Sequence, residues 1–354
     1  MRILHAPAVV GGNAWTLSRA ERRLGLDSRV ALAVPNAFGY RHDDLVVADG
    51  DGALARLAKL SRYAWRAART YDAFHFNYGH TLLDFPQRGL DLLDLPLFRA
   101  TGKPLVVTFQ GCDVRPGVPD LSHGQRGCPD CDPRWNAGKA RRARRIAKAA
   151  STIFCLNPDL LTLVPGEFLP YTAVEPSEWT PAPPREDGGP VRILHAPSNR
   201  AFKGSDVIEA AVHRLAKRRP IEYVLVEKVP HARVRALYES ADIVVDQVRV
   251  GWYGGLAVEA MALGKPVLAY IREADLEFVP DDFARDLPIV RTTPESIERD
   301  LERLVDAPDE RRRVGERSRR FVERHHDPTR IARRVAKAYG FWPPAEAAPP
   351  AQTF

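Results

Sequence analysis

The sequence predicts an α/β fold of two doubly wound, Rossmann-like domains facing one another across a cleft, and three observations carry that prediction. The segment RILHAP occurs twice, at 2–7 and again at 192–197, so the chain writes one strand two times. Each copy is followed by a glycine-containing turn, a run of helical spacing and a second apolar strand, which is the repeating unit of a parallel sheet. At 354 residues the chain has room for two cores of ~150 to 200 residues each.

In the first domain, predicted over 1–174, the opening strand runs into Gly11-Gly12. Asn13 then caps a helix whose apolar residues Ala14, Leu17, Ala20 and Leu24 recur at helical spacing until Gly25 stops it. A strand at 28–34, a helix at 51–69, strands at 73–76 and 105–109, a helix at 136–149 and a strand at 152–155 continue the alternation. Residues 175–190 turn to proline, glycine and charge, the composition of a linker. The second domain, 191–327, repeats the plan: Lys203-Gly204-Ser205 leads a helix with Ile208, Ala211, Val212 and Leu215 on one face, followed by strands at 221–226, 243–245 and 266–270. A last helix at 328–341 precedes a loose, proline-rich tail at 342–354.

Apolar residues make up 45% and charged residues 27%, an ordinary balance for a globular enzyme, and no apolar run approaches the ~20 residues that span a bilayer. The amino terminus reads as a buried strand rather than a signal peptide, so a cytoplasmic protein is expected. Four cysteines in a chain of this length do not form a disulfide framework, in keeping with a reducing compartment. The net charge of +7 is concentrated in 139–148 and 311–313. Such runs are ordinarily solvated helix faces; here they also allow peripheral contact with the anionic inner face of a membrane. No nucleic-acid module is present, and none is expected as a partner.

Two stretches carry candidate chemistry. In the first, Arg200 and Lys203 stand at the start of a helix, where outward N–H groups favour an anion such as a diphosphate. In the second, 251–267, glycines precede a short helix containing Glu259, whose carboxylate suits the vicinal hydroxyls of a ribose. A third cluster, Cys112, His123, Cys128 and Cys131, has the ligand count of a structural zinc site that would pin a glycine- and proline-rich loop, against free thiols as the plain alternative.

The Lys203-Gly204 pair opening a helix and, some fifty residues on, the run GGLAVEAMALGKPV resemble the signature of group 1, family 4 type GT-B glycosyltransferases. Gly11-Gly12, Tyr71 to His75, Lys103 to Gly111 and Leu169-Pro170 extend the resemblance over nearly the whole chain. It implies a retaining enzyme using a nucleotide-diphosphate sugar as co-substrate, with no metal needed for catalysis and a final helix crossing back to the first domain. By the resemblance, Lys203 holds the donor diphosphate, the amides near Gly254, Gly255 and Leu256 the phosphates, and Glu259 the ribose; Gly12 faces the donor from the opposite wall. The acceptor, a glycan, a lipid-linked sugar or a small molecule, enters near His75, Gln110 and Asp113.

Three positions depart from the family pattern. Gly251 stands where relatives carry the first Glu of the motif, Ser198 where they carry an Arg, and Gln110 where many carry a His. Arg200 is then the expected substitute for the missing Arg. These departures keep two other readings open: a non-catalytic nucleotide- or glycan-binding relative, and a sugar-nucleotide epimerase, which would need cleft carboxylates that the first domain offers only in Asp113.

Overall fold

The computed structural model describes residues 1–36, 38–118, 127, 136, 138–181 and 188–342. The first half runs β1 (Arg2–Ala6), α1 (Asn13–Arg23), β2 (Asp27–Leu32), β3 (Asp44–Leu45), α2 (Ala53–Thr70), β4 (Ala73–Asn77), α3 (Leu95–Ala100), β5 (Leu105–Phe109), α4 (Lys139–Ala149), β6 (Thr152–Cys155) and β7 (Glu167–Phe168). Its seven strands lie in the order β3-β2-β1-β4-β5-β6-β7, every pair parallel. Strands such as β4 and β5 are buried at every residue, as a sheet covered by helices on both faces requires.

The second half runs β8 (Val191–His195), the single turn α5 (Arg200–Lys203), α6 (Ser205–Ala216), β9 (Ile221–Leu225), α7 (His231–Ser240), β10 (Ile243–Gln247), α8 (Gly255–Ala262), β11 (Val267–Ala269), α9 (Asp281–Asp286), β12 (Val290–Arg291), α10 (Ile297–Asp306), α11 (Pro308–His325) and α12 (Pro328–Ala338). Five parallel strands take the order β12-β11-β10-β8-β9. In each sheet the repeated RILH strand sits inside, flanked on both sides.

The two sheets share one core. Leu17 and Ala20 of α1, Trp252 and Tyr253 of the second half, and Ile331 and Val335 of α12 pack into a single cluster. The last helix lies against α1, with Arg334 paired to Glu167 of β7 at 2.6 Å. Past its end, Tyr339 donates its hydroxyl proton to Glu21 Oε1 at 2.9 Å, fully inside the first half. Among the described residues no helix is long and apolar enough to cross a membrane.

Candidate active site

A cavity of ≈ 370 Å³ opens between the sheets, walled by the loops that follow the carboxyl ends of strands from both halves. This is the place where open α/β sheets bind ligands, because the loops there are free of the sheet's own packing.

Lys203 reaches the cavity from α5. Asn199 caps that turn by accepting the Phe202 N–H at 2.8 Å, and Gly204, at φ +74°, swings the chain straight into α6. A Cβ on Gly204 would lie 2.6 Å from Val248 Cγ2, so the turn requires glycine. The Lys203 ammonium donates to Asp246 Oδ1 at 2.6 Å, and the other oxygen of that carboxylate accepts the Gly254 N–H at 2.7 Å. Asp246 is fully buried at the end of β10. The two donors that the resemblance assigns to the donor phosphates are thus held together by one internal carboxylate.

The glycines of the second stretch make room. An added Cβ at Gly254 would meet Lys203 Nζ at 3.2 Å, and one at Gly255 would lie 3.9 Å from the Cα of Gly11. Gly254, Gly255 and Leu256 line the cavity at the N-terminus of α8; with the Gly254 N–H given to Asp246, the amides of Gly255 and Leu256 are the ones left to carry partial positive charge toward it. Gln247 fixes this loop with all its amide capacity: its Nε2 donates to the carbonyls of Trp252 and Tyr270, and its Oε1 accepts from Arg249 and Val250 N–H.

Glu259 lies on the cavity wall, 4% exposed, with Oε1 2.6 Å from His231 Nε2. That hydrogen bond, reinforced by the attraction of the carboxylate, raises the His231 pKa above its ordinary value against the opposing effect of burial. Tyr40, from the loop after β2, packs its ring 5.0 Å from His231, so the first half reaches across to the Glu259 side.

On the facing wall stand Gln110 and Arg115, in the loop after β5. Gln110 is 8% exposed, and neither atom of its side-chain amide has a hydrogen-bond partner among the described residues. Arg115 forks onto Asp159 with bonds of 2.6 and 2.7 Å, and its guanidinium carbon lies 5.9 Å from the ring of Phe202, the neighbour of Lys203. Arg115 is therefore a buried cation on the cavity, supplied by the half opposite Lys203.

Several expected site residues lie elsewhere. Arg200 points outward, paired with Glu209 and, at 3.3 Å, with Glu227, and it does not line the cavity. His75 is inside the sheet rather than at the acceptor wall. Its Nδ1 and Nε2 are each 2.6 Å from a hydroxyl, of Tyr339 and Thr108. Since Tyr339 gives its only proton to Glu21, it accepts from Nδ1–H. Burial, then the nearby His5, pushes the His75 pKa down. Asp113 is spent on its own turn, accepting the N–H groups of Gln110 and Gly111, and burial raises its pKa. Gly12 caps α1 at φ +71° beside the Ala173 carbonyl, and it is Gly11 that faces the cavity. Gly251 disfavours the family's Glu: its φ of +86° strains any side chain, and an added Cβ would sit 2.8 Å from Arg272 Nη1, which would have to shift.

Of the zinc candidates, Cys112 lines the cavity half-buried, while His123, Cys128 and Cys131 lie outside the described residues. Among the described residues the group close enough for a metal is His5, Glu21 and His75, fully buried in hydrogen bonds to one another and to hydroxyls.

Two parallel sheets with a shared cleft and a final helix returning to the first half define the GT-B fold. Residues 203–337 match the family model described as glycosyl transferase-like. Anabaena HepE, solved in complex with UDP-glucose, superposes with a TM-score of 0.63 at 14% identity, covering 96% of this chain and 99% of that one. Sucrose-phosphate synthase from Thermosynechococcus elongatus gives a TM-score of 0.59 at 14% identity over 96% and 98% of the two chains. A glycosyltransferase from Rickettsia africae gives 0.61 at 13% identity over 96% and 97%. No curated protein sequence matches the chain. The chain thus has the fold of GT-B glycosyltransferases over nearly its whole length, and its second half carries the sequence pattern of the glycosyl transferase-like family.

Proposed function

We propose that this enzyme moves a sugar, with retention at the anomeric carbon, from a nucleoside-diphosphate sugar to a hydroxyl of a glycan, lipid-linked or small-molecule acceptor. One observation carries the reading: Lys203, the N-terminus of α8 and Glu259 converge on a single cavity that faces Gly11. HepE was solved with UDP-glucose and with UDP, which supports a nucleotide-sugar donor here.

The mechanism rests on electrostatics. Cleavage of the anomeric C–O bond places negative charge on the departing diphosphate, and fixed donors aimed at it lower the barrier. Lys203 has three N–H donors and gives one to Asp246, so two remain for phosphate oxygens. Arg115 takes the place of the cation missing at Ser198, from the opposite wall. Glu259 binds the ribose with the oxygen that His231 leaves free, and the amide of Gln110, buried without a partner, hydrogen-bonds the sugar or the acceptor. The departing phosphate accepts the proton of the acceptor hydroxyl, so no protein base is required.

Thermal-shift titrations with UDP, GDP, ADP and dTDP test the reading. One nucleotide is expected to raise Tm progressively, by an amount equivalent to about 2.7 kcal/mol at a hundred times its Kd. No response to any of the four would overturn the proposal. Turnover with the matching sugar conjugate then separates a transferase from a protein that only binds.

A further inference from the structure

Three helices of the first half carry a large share of the molecule's positive charge. α2 holds five Lys or Arg residues, α3 one and α4 six, and none of them contains an Asp or Glu. Lys139 and Arg142 are buried, and the ten that remain at the surface still exceed the net +7 of the whole chain. α2 packs beside α3 and α3 beside α4, over the core cluster of Tyr63, Phe98 and Ile146; α1 and α12 cover a different cluster.

This face is also apolar where it meets solvent. The inward stripe of α2, including Leu60, Ala64 and Ala67, is buried, yet Leu54, Leu57 and Trp65 on its outer side are 84%, 44% and 52% exposed. Their spacing, with Ser61 between, places them on one line along the helix. Arg69 lies over the Trp65 ring at 3.2 Å, and Arg62 and Arg66 flank it. Next to α3, Leu90 and Leu93 are about half exposed, on a loop that Arg145 ties to α4 through the Asp91 carbonyl at 3.1 Å. The nearby acids are already engaged: Asp51 by Lys59 and Asp91 by Arg141.

We propose that the α2–α3–α4 face docks on an anionic lipid bilayer. The sequence pointed to the basic runs at 139–148 and 311–313; the structure joins the first of them to a bare leucine and tryptophan stripe on a different helix. Lys and Arg side chains bind headgroup phosphates, while Leu54, Leu57 and Trp65 enter the boundary with the acyl chains, the pattern of an interfacial helix. A nucleic acid would answer the charge but leave the apolar stripe unused. A second copy of this face would meet its own positive field.

The test is co-sedimentation of the full chain with vesicles of phosphatidylcholine alone or with about one third phosphatidylglycerol, near physiological salt. Binding is expected only to the phosphatidylglycerol vesicles. L54S/L57S/W65S, all at exposed positions, is expected to weaken it at least about tenfold with unchanged melting and nucleotide affinity, and R62E/R66E/R145E to abolish it. Failure to bind anionic vesicles, equal binding to neutral ones, or a triple apolar variant that binds like the parent would overturn the proposal. So would a concentration-dependent dimer that L54S/L57S/W65S dissolves, since the stripe would then be a protein contact.

Discussion

β1 and β8 share the letters RILH, occupy interior places in their sheets and bury the same Ile, Leu and His side chains, yet their histidines meet different partners. His5 Nε2 lies 2.7 Å from Glu21, whose carboxyl group also accepts the hydroxyls of Ser28 and Tyr339. His195 Nε2 lies 2.7 Å from the Ser205 hydroxyl, and its Nδ1 2.9 Å from the Val245 carbonyl. The first strand is thereby tied to the last helix of the chain, the second to the turn that presents Lys203. An identical strand serves as an anchor in one half and as the support of a binding loop in the other, and the segment that follows the strand decides which.

Five perturbations sharpen that contrast. Lys203→Ala should lower kcat/KM about 100- to 1000-fold, the cost of losing one donor to a developing oxyanion, whereas Glu21→Gln should leave kcat/KM of the folded enzyme unchanged. Glu21→Ala removes the acceptor of two hydroxyls and the partner of His5 inside the core, and urea unfolding should register a loss of about 3 kcal/mol or more. The third is a pH dependence. Burial depresses the His195 pKa from 6.5 to about 4. The unfolded chain therefore binds a proton that the native one refuses, and stability falls as pH drops from about 6.5 toward 4, by about 3 kcal/mol for this residue. His195→Asn should flatten that part of the profile, measured by urea midpoints at pH 7 and near pH 4.5. Gly251→Glu, which restores the family's carboxylate, should cost about 1 to 3 kcal/mol through its left-handed backbone and the Arg272 contact, with no gain in turnover. Ser205→Ala should be the mildest, about 1 kcal/mol by thermal melting.

The longer strands and the motif around Glu259 were legible because their signals are local: apolar runs between turns, and glycines ahead of a helix. β3, β7 and β12, each two residues long, offer no such period. Asp246, Arg115 and Tyr40 were missed because their roles arise between segments distant in sequence, such as the 43 positions from Lys203 to Asp246. A signal did exist for Asp246: an acid closing the buried strand IVVDQ needs a partner. Arg200 lies off the cavity because Glu209 and Glu227 hold it outward, and those partners, nine and 27 positions away, are not announced by the sequence. His75 lies inside the sheet because β4 is buried on both faces, so a polar residue in it need not face a ligand.

Tyr339 has a consequence for synthesis. It is the last fully enclosed side chain among the described residues, and it completes the hydrogen bonds of Glu21 and His75 in the half made first. The earlier half of the polypeptide therefore waits, with a carboxyl group and an imidazole each one hydrogen bond short, until the final helix has emerged and folded back. The second half can close its sheet once β12 is made. Domains usually finish in the order of their translation; here the half translated first is the one completed last.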